Sequence, residues 1–457
     1  MDKKKTIVIN ENTPLLVLAG PMFLELFLNT MLNNVDTLML SHYDEYAVGA
    51  VGNANIIMFM MNILFNVIAT ATSVVVAQYL GARQFDKMNM IYTLAVAVNF
   101  VIGLVLSAGF CAANPLIMRF LNVSDEMRPY SMIYIYIVGG GGFVTAVFNV
   151  MLQILRCNGY TQIGMWVSLA INVINIIGNY IFLYGPLAFL KMGVEGVAIS
   201  TIGARAIAVT VLILFFYGAK IGKLSLRYLK PFPGRLLSKM IKIGLPSAGE
   251  SLTYNLYQTT LLSFVNGMGN DSVTARAYCN TLISFAMIFS NASAMSTQII
   301  TGHLVGAGKS EEAFKRVFKT LRTSLPITIA LASVNALLCR YTLSLFTENL
   351  NIIALGQTIM IADIFVETGR CLNMTFVSSL KAAGAYIFPL IMGIVCNWGL
   401  GLTTGYLVGV VIGVGVWGIY AGTATDECIR GLIVMYYWYK KKWLGKSVVD
   451  KKDNVLD

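Results

Sequence analysis

Apolar stretches of twenty or more residues recur along the whole chain, each long enough to cross a hydrocarbon core of about 30 Å. The bilayer offers no partner to backbone N–H and C=O groups, so only helices and closed barrels span it. These runs are continuously apolar rather than alternating, which selects helices. Only 12% of the 457 residues are charged, where a soluble surface needs roughly twice that share. The expected spans are 15–41, 47–79, 88–112, 126–156, 163–184 and 193–217, then 239–266, 272–304, 313–339, 351–381, 387–411 and 415–439.

The net charge of +11 does not point to nucleic acid, because the basic residues sit in short connections between apolar runs. Lys3–Lys5, Arg83 with Lys87, the segment 220–242, Lys309 through Arg322, Lys381 and Lys440–Lys442 are expected on the cytoplasmic side. The intervening loops, HYDEYA at 42–47 and GNDS at 269–272, are neutral or acidic. Both termini are then cytoplasmic, which requires an even number of spans. MDKKK precedes an apolar segment too long for a cleavable signal.

The chain also repeats itself. A shift of 225 positions lays Pro21 on Pro246 and Glu25 on Glu250 (21 + 225 = 246; 25 + 225 = 250). The same shift matches Asn55 with Asn280, Asn66 with Asn291, Arg156 with Lys381, Gly159 with Gly384, Asn172 with Asn397 and Arg205 with Arg430. Matched Pro, Glu, Asn and Arg at one offset mark a tandem duplication. With six spans per half the repeat is parallel, and two such lobes leave a cleft about which they can rock. The expected organisation is a cytoplasmic segment 1–14, an N-lobe 15–219, a linker 220–238, a C-lobe 239–440 and a cytoplasmic tail 441–457.

Charged groups inside spans cost roughly 2.5–3.5 kcal/mol on insertion scales, so each calls for a reason. Asp36 lies in LNNVDTLML near the outer end of the first span, beside Asn29, Asn33 and Asn34. It reads either as a titratable or cation-binding carboxylate or as a hydrated interfacial acid. Glu25 and Glu250 each follow a proline by one helical turn, where a freed carbonyl makes a polar crevice. They are cleft carboxylates or packing groups bonded to a cationic neighbour. Glu367 and Arg370 stand at i and i+3 with Asn373 on the same face, suited to an ion pair or to a substrate contact; Asp363 lies one turn earlier. Asn172, Asn175 and Asn179 share one face of the fifth span, for a partly dehydrated cation or for helix–helix hydrogen bonds.

Other features carry less. Gly139–Gly142 is not followed by a GK[ST] element, so it marks a flexible or closely packed point in the fourth span rather than a phosphate loop. The seven cysteines are scattered singly, and His42 and His303 are too few for a histidine-rich metal site. No nucleotide-binding motif and no Ser/His/Asp set is present, so neither an ATP-driven pump nor an enzyme is expected; coupling to an ion gradient remains.

Several segments together resemble the multidrug and toxic compound extrusion (MATE) family over essentially the full length. Pro21-x3-Glu25 followed by NNVDTLMLS is similar to its "VDTxMVG" first helix, and VVAQYLGAR at 75–83 to its "QxxGA" loop. LQILRCNGYTQ at 152–162 resembles "LRAxGDT", NIIGNYIFLYG at 175–185 resembles "NIxLDxxFIFG", and GVEGVAIST at 193–201 resembles "GVxGAAxAT". GLPSAGE, GHLVGAGKSEEA and RCLNMTFVSSLKAAGAYIFP repeat the pattern in the second half.

The resemblance implies an all-α integral membrane protein of twelve helices in two parallel six-helix lobes. It implies export of cationic or amphipathic compounds by antiport against H+ or Na+, with no other cofactor. The expected setting is the cell membrane, with a small-molecule substrate, the lipid bilayer as surroundings, no nucleic acid, and a single chain as the working unit. Carried over by position, the cation site would involve Asp36, Asn175, Asn179 and Thr201, and the C-lobe carboxylates would be Glu250 and Glu367. Many relatives carry aspartate where this chain has Asn179, which leaves proton or sodium coupling open. Gly159-Tyr160 and Gly384-Ala385 replace the family's glycine–aspartate pairs. A lipid or polysaccharide-precursor flippase of the same superfamily is the alternative; it would place several Arg or Lys in the cleft.

Overall fold

The computed structural model describes residues 9–10, 12–41, 45–121, 123–185 and 192–449. The segment Lys3–Lys5, residues 42–44 of the HYDEYA loop (His42 among them) and the end of the tail lie outside the described residues, as do the side chains of Asn33 and Asn34. The described residues form twelve long helical spans and no strand.

In the first half these are α1 (Leu15–Ser41), α2 (Glu45–Gly81), α3 (Phe85–Phe120), α4 (Arg128–Gly139 with Gly142–Cys157), α5 (Thr161–Leu183) and α6 (Gly193–Gly218). A short 3-10 turn at Leu226–Leu229 follows. The second half contains α7 (Gly234–Asn266), α8 (Asn270–Gly306), α9 (Ser310–Ser344), α10 (Leu350–Ala382), α11 (Ile387–Val411) and α12 (Val416–Tyr439). The expected linker, 220–238, therefore runs a few residues into α7.

Nine of these helices are apolar enough along their length to cross a membrane, and the two-part α4 makes a tenth. The two that fall short, α7 and α12, carry polar residues along much of their length. Helix α7 carries Glu250 among Ser, Thr, Asn and Tyr, and α12 carries Asp426, Glu427 and Arg430. Hydrophobic transfer alone does not account for such helices; bonded polar partners must offset the burial.

Helix α4 bends by 46° between its two parts. A π-turn at Ile135–Gly139 precedes the bend, and Gly140 and Gly141 occupy it. At Gly142 an added Cβ would stand 2.7 Å from Ser107 Oγ and 2.9 Å from the Phe65 ring, so the four-glycine run is both bent and closely packed. Helix α11 is interrupted twice by π-helical stretches, Val395–Leu402 and Leu407–Val411. Its backbone lies directly against α12: a Cβ on Gly422 would come 2.5 Å from Gly405 N, and one on Gly418 would come 2.5 Å from Gly409 N. Small residues four apart on both helices permit this approach.

The chain separates into two compact units. One comprises 24–80 and 84–248 of the described residues, the other 9–23, 81–83 and 249–449. The first unit is built around Ile57, Met61, Phe65, Ile135, Ala146 and Val197. The second is built around Tyr257, Leu261, Cys279, Met360, Val366 and Ile419. Both cuts fall inside a helix, between Phe23 and Leu24 in α1 and between Ala248 and Gly249 in α7, again 225 apart (23 + 225 = 248). Each lies two residues past a helical proline, Pro21 or Pro246. Accordingly Phe23 stacks edge-on against Phe289, and Met22 Sδ accepts from Ser296 Oγ at 3.3 Å, within the second unit.

Candidate functional site

In the first unit, α1, α5 and α6 bring four side chains into one hydrogen-bonded chain. Asn179 Nδ2 donates to Asp36 Oδ1 at 2.6 Å and to Asn175 Oδ1 at 3.1 Å. Asn175 Nδ2 donates to Thr201 Oγ1 at 3.1 Å, and Thr201 Oγ1 donates to the Val197 carbonyl at 2.9 Å. The spacing of 175 and 179 stacks the two amides one turn apart on α5, so both face α1 and α6. Ser200 Oγ donates to the Asn175 carbonyl at 2.9 Å and ties the two helices further. Asn175, Asn179 and Thr201 are buried, and Asn179 Oδ1 has no hydrogen-bond donor.

The arrangement offers a carboxylate, two amide oxygens and a hydroxyl, the hard oxygen donors that suit a proton or a small monovalent cation. Arg205 acts on Asp36 electrostatically and donates from Nη1 to Thr145 Oγ1 at 3.0 Å. Asn172, the third amide on the α5 face, stands apart: neither of its amide atoms is bonded, and the same holds for its repeat mate Asn397 on α11 (172 + 225 = 397).

Glu25 and Glu250 are each held by the basic residue that the repeat places opposite. Arg156 Nη2 lies 2.5 Å from Glu25 Oε1, and Lys381 Nζ lies 2.8 Å from Glu250 Oε2 (156 + 225 = 381). Of the two readings open for these acids, the geometry is that of a carboxylate bonded to a cationic neighbour. Gly164 backs directly onto the Glu25 carboxylate, and Gly393 lies 3.5 Å from Glu250 Cγ, as judged by an added Cβ. The basic residues end α4 and α10 at twin glycine turns. Gly159 at φ +85° and Gly384 at φ +87° take the left-handed conformation that closes a helix. Only the glycine is needed for that turn, which explains why Tyr160 and Ala385 can follow it.

The second unit holds a larger buried network on α7, α10 and α12. Glu367 and Arg370 are ion-paired as the i, i+3 spacing suggested. Arg370 also reaches Glu427 Oε1 at 3.8 Å through Nε and Tyr254 OH at 3.5 Å through Nη2. Asn373 Nδ2 donates to Glu427 Oε2 at 2.9 Å. Arg430 Nη2 closes the network on Glu427 Oε2 at 2.9 Å and on Asp426 Oδ2 at 3.1 Å. Asp363, one turn before Glu367, is buried with neither carboxylate oxygen accepting a hydrogen bond. Four carboxyl groups thus face two guanidiniums, an acidic surplus when all are ionised.

Asp426, Glu427 and Tyr254 were not singled out by sequence reasoning. Asp426 had a signal in the repeat: Thr201, Arg205 and Thr145 correspond to Asp426, Arg430 and Arg370 (201 + 225 = 426; 205 + 225 = 430; 145 + 225 = 370). Arginine is kept at 205 and 430, while the other two positions differ between the units, Thr201 against Asp426 and Thr145 against Arg370. No group of three or more His, Cys, Asp or Glu residues disposed to hold a metal occurs among the described residues.

The profile of the MatE family matches the chain twice, over residues 21–181 and 246–407, once per repeat and starting at each of the two helical prolines, Pro21 and Pro246. The chain belongs to the MatE family. It is 34% identical over 94% of its length to an uncharacterised transporter, YisQ, of Bacillus subtilis, covering 95% of that protein. It is 23% identical over 96% of its length to a probable multidrug resistance protein, NorM, of Thermotoga maritima, covering 94% of that one. Among solved structures, an outward-facing multidrug resistance MATE family transporter of the MOP superfamily superposes with a TM-score of 0.88 at 18% identity, over 96% of this chain and 98% of the other. A MOP superfamily transporter from Pyrococcus furiosus, described as having a binding pocket of reverse polarity, gives the same TM-score and coverage. The chain is a multi-pass membrane transporter and not an enzyme, with twelve helices of the MATE fold.

Proposed function

We propose that this transporter exports cationic or amphipathic organic compounds in exchange for H+ or Na+, and that Asp36 takes the coupling ion. The observation that carries this reading is the chain Asp36–Asn179–Asn175–Thr201, in which one carboxylate is bonded by an amide whose own oxygen is left without a donor. Proton or sodium uptake at Asp36 neutralises the carboxylate that Asn179 Nδ2 now bonds. The amide then loses its charged acceptor and can re-pair, which loosens α1 from α5 and through it from α6. One charge moving through 100 mV is worth about 2.3 kcal/mol, enough to bias states that differ by a few kcal/mol.

The multidrug resistance names of relatives such as NorM support an organic cargo. Cationic cargo is favoured because, within the α7–α10–α12 network, four buried carboxyl groups face the two guanidiniums of Arg370 and Arg430. A flippase for anionic headgroups would need cationic groups free to receive them, whereas Arg370 and Arg430 are each committed to carboxylates. The working unit is a single chain in the cell membrane.

The test is flux of a cationic dye in proteoliposomes under an imposed proton or sodium gradient. Wild type is expected to concentrate the dye against one gradient, Asp36→Asn to lose at least ten-fold of the driven rate, and Asp36→Glu to retain part of it. Unchanged gradient-driven flux in Asp36→Asn removes the coupling role of this residue. Gradient-independent movement of a labelled lipid, with no dye transport, replaces the antiport reading with the flippase one.

A further inference from the structure

Beyond α6 the chain does not turn straight into α7 but lies as a strap across α3. Lys223 N–H donates to Asn89 Oδ1 at 2.8 Å, and Ser225 N–H donates to Thr93 Oγ1 at 3.2 Å. Leu224 bonds Tyr217 OH through both its N–H, at 3.3 Å, and its carbonyl, at 3.2 Å. Gly222 is pressed so closely on α3 that a Cβ would stand 2.7 Å from Asn89 Oδ1 and 3.1 Å from the Tyr92 ring. The strap separates two cavities of different character. On one side is a mixed pocket of about 580 Å³, richer in polar groups, that includes Asn89, Tyr92, Asn158, Lys220 and Lys223. On the other is an apolar groove of about 670 Å³ among α3, α4 and α6, with Val96, Phe100, Phe143, Val209 and Ile213 on its walls and Leu226 of the strap at its edge.

We infer that the two cavities together bind one anionic glycerophospholipid, with an acyl chain in the groove and the phosphate at Lys220 and Lys223. The groove opens on the outer face of α3, where Phe100, Val101 and Leu104 are exposed to the surroundings a membrane helix meets there, lipid chains. The strap joins the ends of two membrane-crossing helices, which is the depth of the headgroup layer. Segment 220–242 carries seven Lys or Arg and no acid, the composition that attracts anionic headgroups at a membrane surface. Neither Lys220 nor Lys223 has an ion-pair partner among the described residues. Lys220 closes α6 in the left-handed conformation, φ +54°, where glycine is the less costly residue, so its side chain is what the position retains. A zwitterionic lipid would fill the groove without giving these ammonium groups a net charge to meet.

Native mass spectrometry of the full chain in detergent, titrated with phosphatidylglycerol or phosphatidylcholine of matched chain length, tests the site. Wild type is expected to retain phosphatidylglycerol in preference. The Lys220→Gln/Lys223→Gln pair is expected to lower that affinity roughly 30-fold, toward the phosphatidylcholine value, and Lys220→Arg/Lys223→Arg to keep it. Ala97→Phe, which fills the groove, is expected to weaken both lipids. The lysine pair is on the surface and decides the headgroup claim even where the groove variant fails to fold. Equal retention of the two lipids, a preference unmoved by the glutamine pair, displacement by inorganic phosphate alone, or occupation of the groove by a cationic dye in place of lipid each overturns the inference. None of these readouts depends on transport, so the outcome is separate from that of the dye-flux test.

Discussion

At the level of single residues, the two repeated glutamates differ in how hard they are to disturb. The Glu25 and Arg156 side chains are 1% and 6% exposed, and those of Glu250 and Lys381 are 15% and 14% exposed. Removing one partner of a fully buried pair strands the other charge, at about 3–5 kcal/mol. Glu25→Gln is therefore expected to lower the thermal midpoint clearly more than Glu250→Gln, and Glu25→Gln/Arg156→Met to recover much of the loss. A fluorescence-detected thermal melt in detergent checks this; equal effects at the two sites would mean that the pairs are not the buried locks described. Which residues matter was only partly legible in the chain. Asn175 and Asn179 adjoin because their spacing on one helix survives as geometry, whereas Asp36 and Thr201, on α1 and α6, were grouped with them only through the family resemblance. Asp426 and Glu427 were passed over although Arg430 follows them at i+4 and i+3, the kind of local spacing that singled out Glu367 with Arg370. Only the links of Glu427 to Arg370 and Asn373, more than fifty positions away, had no local signal.

At the level of elements, the spans read from apolar runs coincide with the helices to within about five residues, because twenty apolar residues in lipid have little alternative to a helix. The exception is α3, which runs eight residues past its expected end to Phe120. What the runs do not encode is irregularity. The π-turns of α11 and the bend of α4 depend on what packs alongside, as Ser107 and Phe65 do at Gly142. The glycine contact of α11 with α12 gives a direct prediction. Gly422→Ala places a methyl group against the Gly405 and Gly401 backbone and is expected to destabilise by about 1–3 kcal/mol through overpacking, read as a drop in the thermal midpoint. Gly399→Ala on α11, where nothing lies within 4 Å of an added Cβ, is the control and should change little. Similar midpoints for the two variants would refute the backbone-to-backbone contact.

At the level of the whole molecule, an even number of spans and the distribution of Lys and Arg predict that both ends of the chain face the cytoplasm. A reporter fused after Lys446 that is active only in the cytoplasm is expected to be active, and one inserted at Gly269 in the α7–α8 loop to be silent. The reverse pattern would invert the topology. The duplication was legible from the outset because Pro, Glu, Asn and Arg recur at one offset; that the unit boundaries inside α1 and α7 obey the same offset was not.

The repeat also dates its own divergence. Position 36 holds an aspartate and its mate, position 261, a buried leucine (36 + 225 = 261), while positions 25 and 250 both hold glutamate. The ancestral gene encoded one version of each. The scaffold acid has therefore persisted in both descendants since the copies were joined, and the residue at 36 or at 261 has changed. Reconstructed single-repeat ancestors would reveal which descendant departed: an ancestor with leucine there makes the carboxylate an acquisition of the first copy, and one with aspartate makes it a group the second copy has shed.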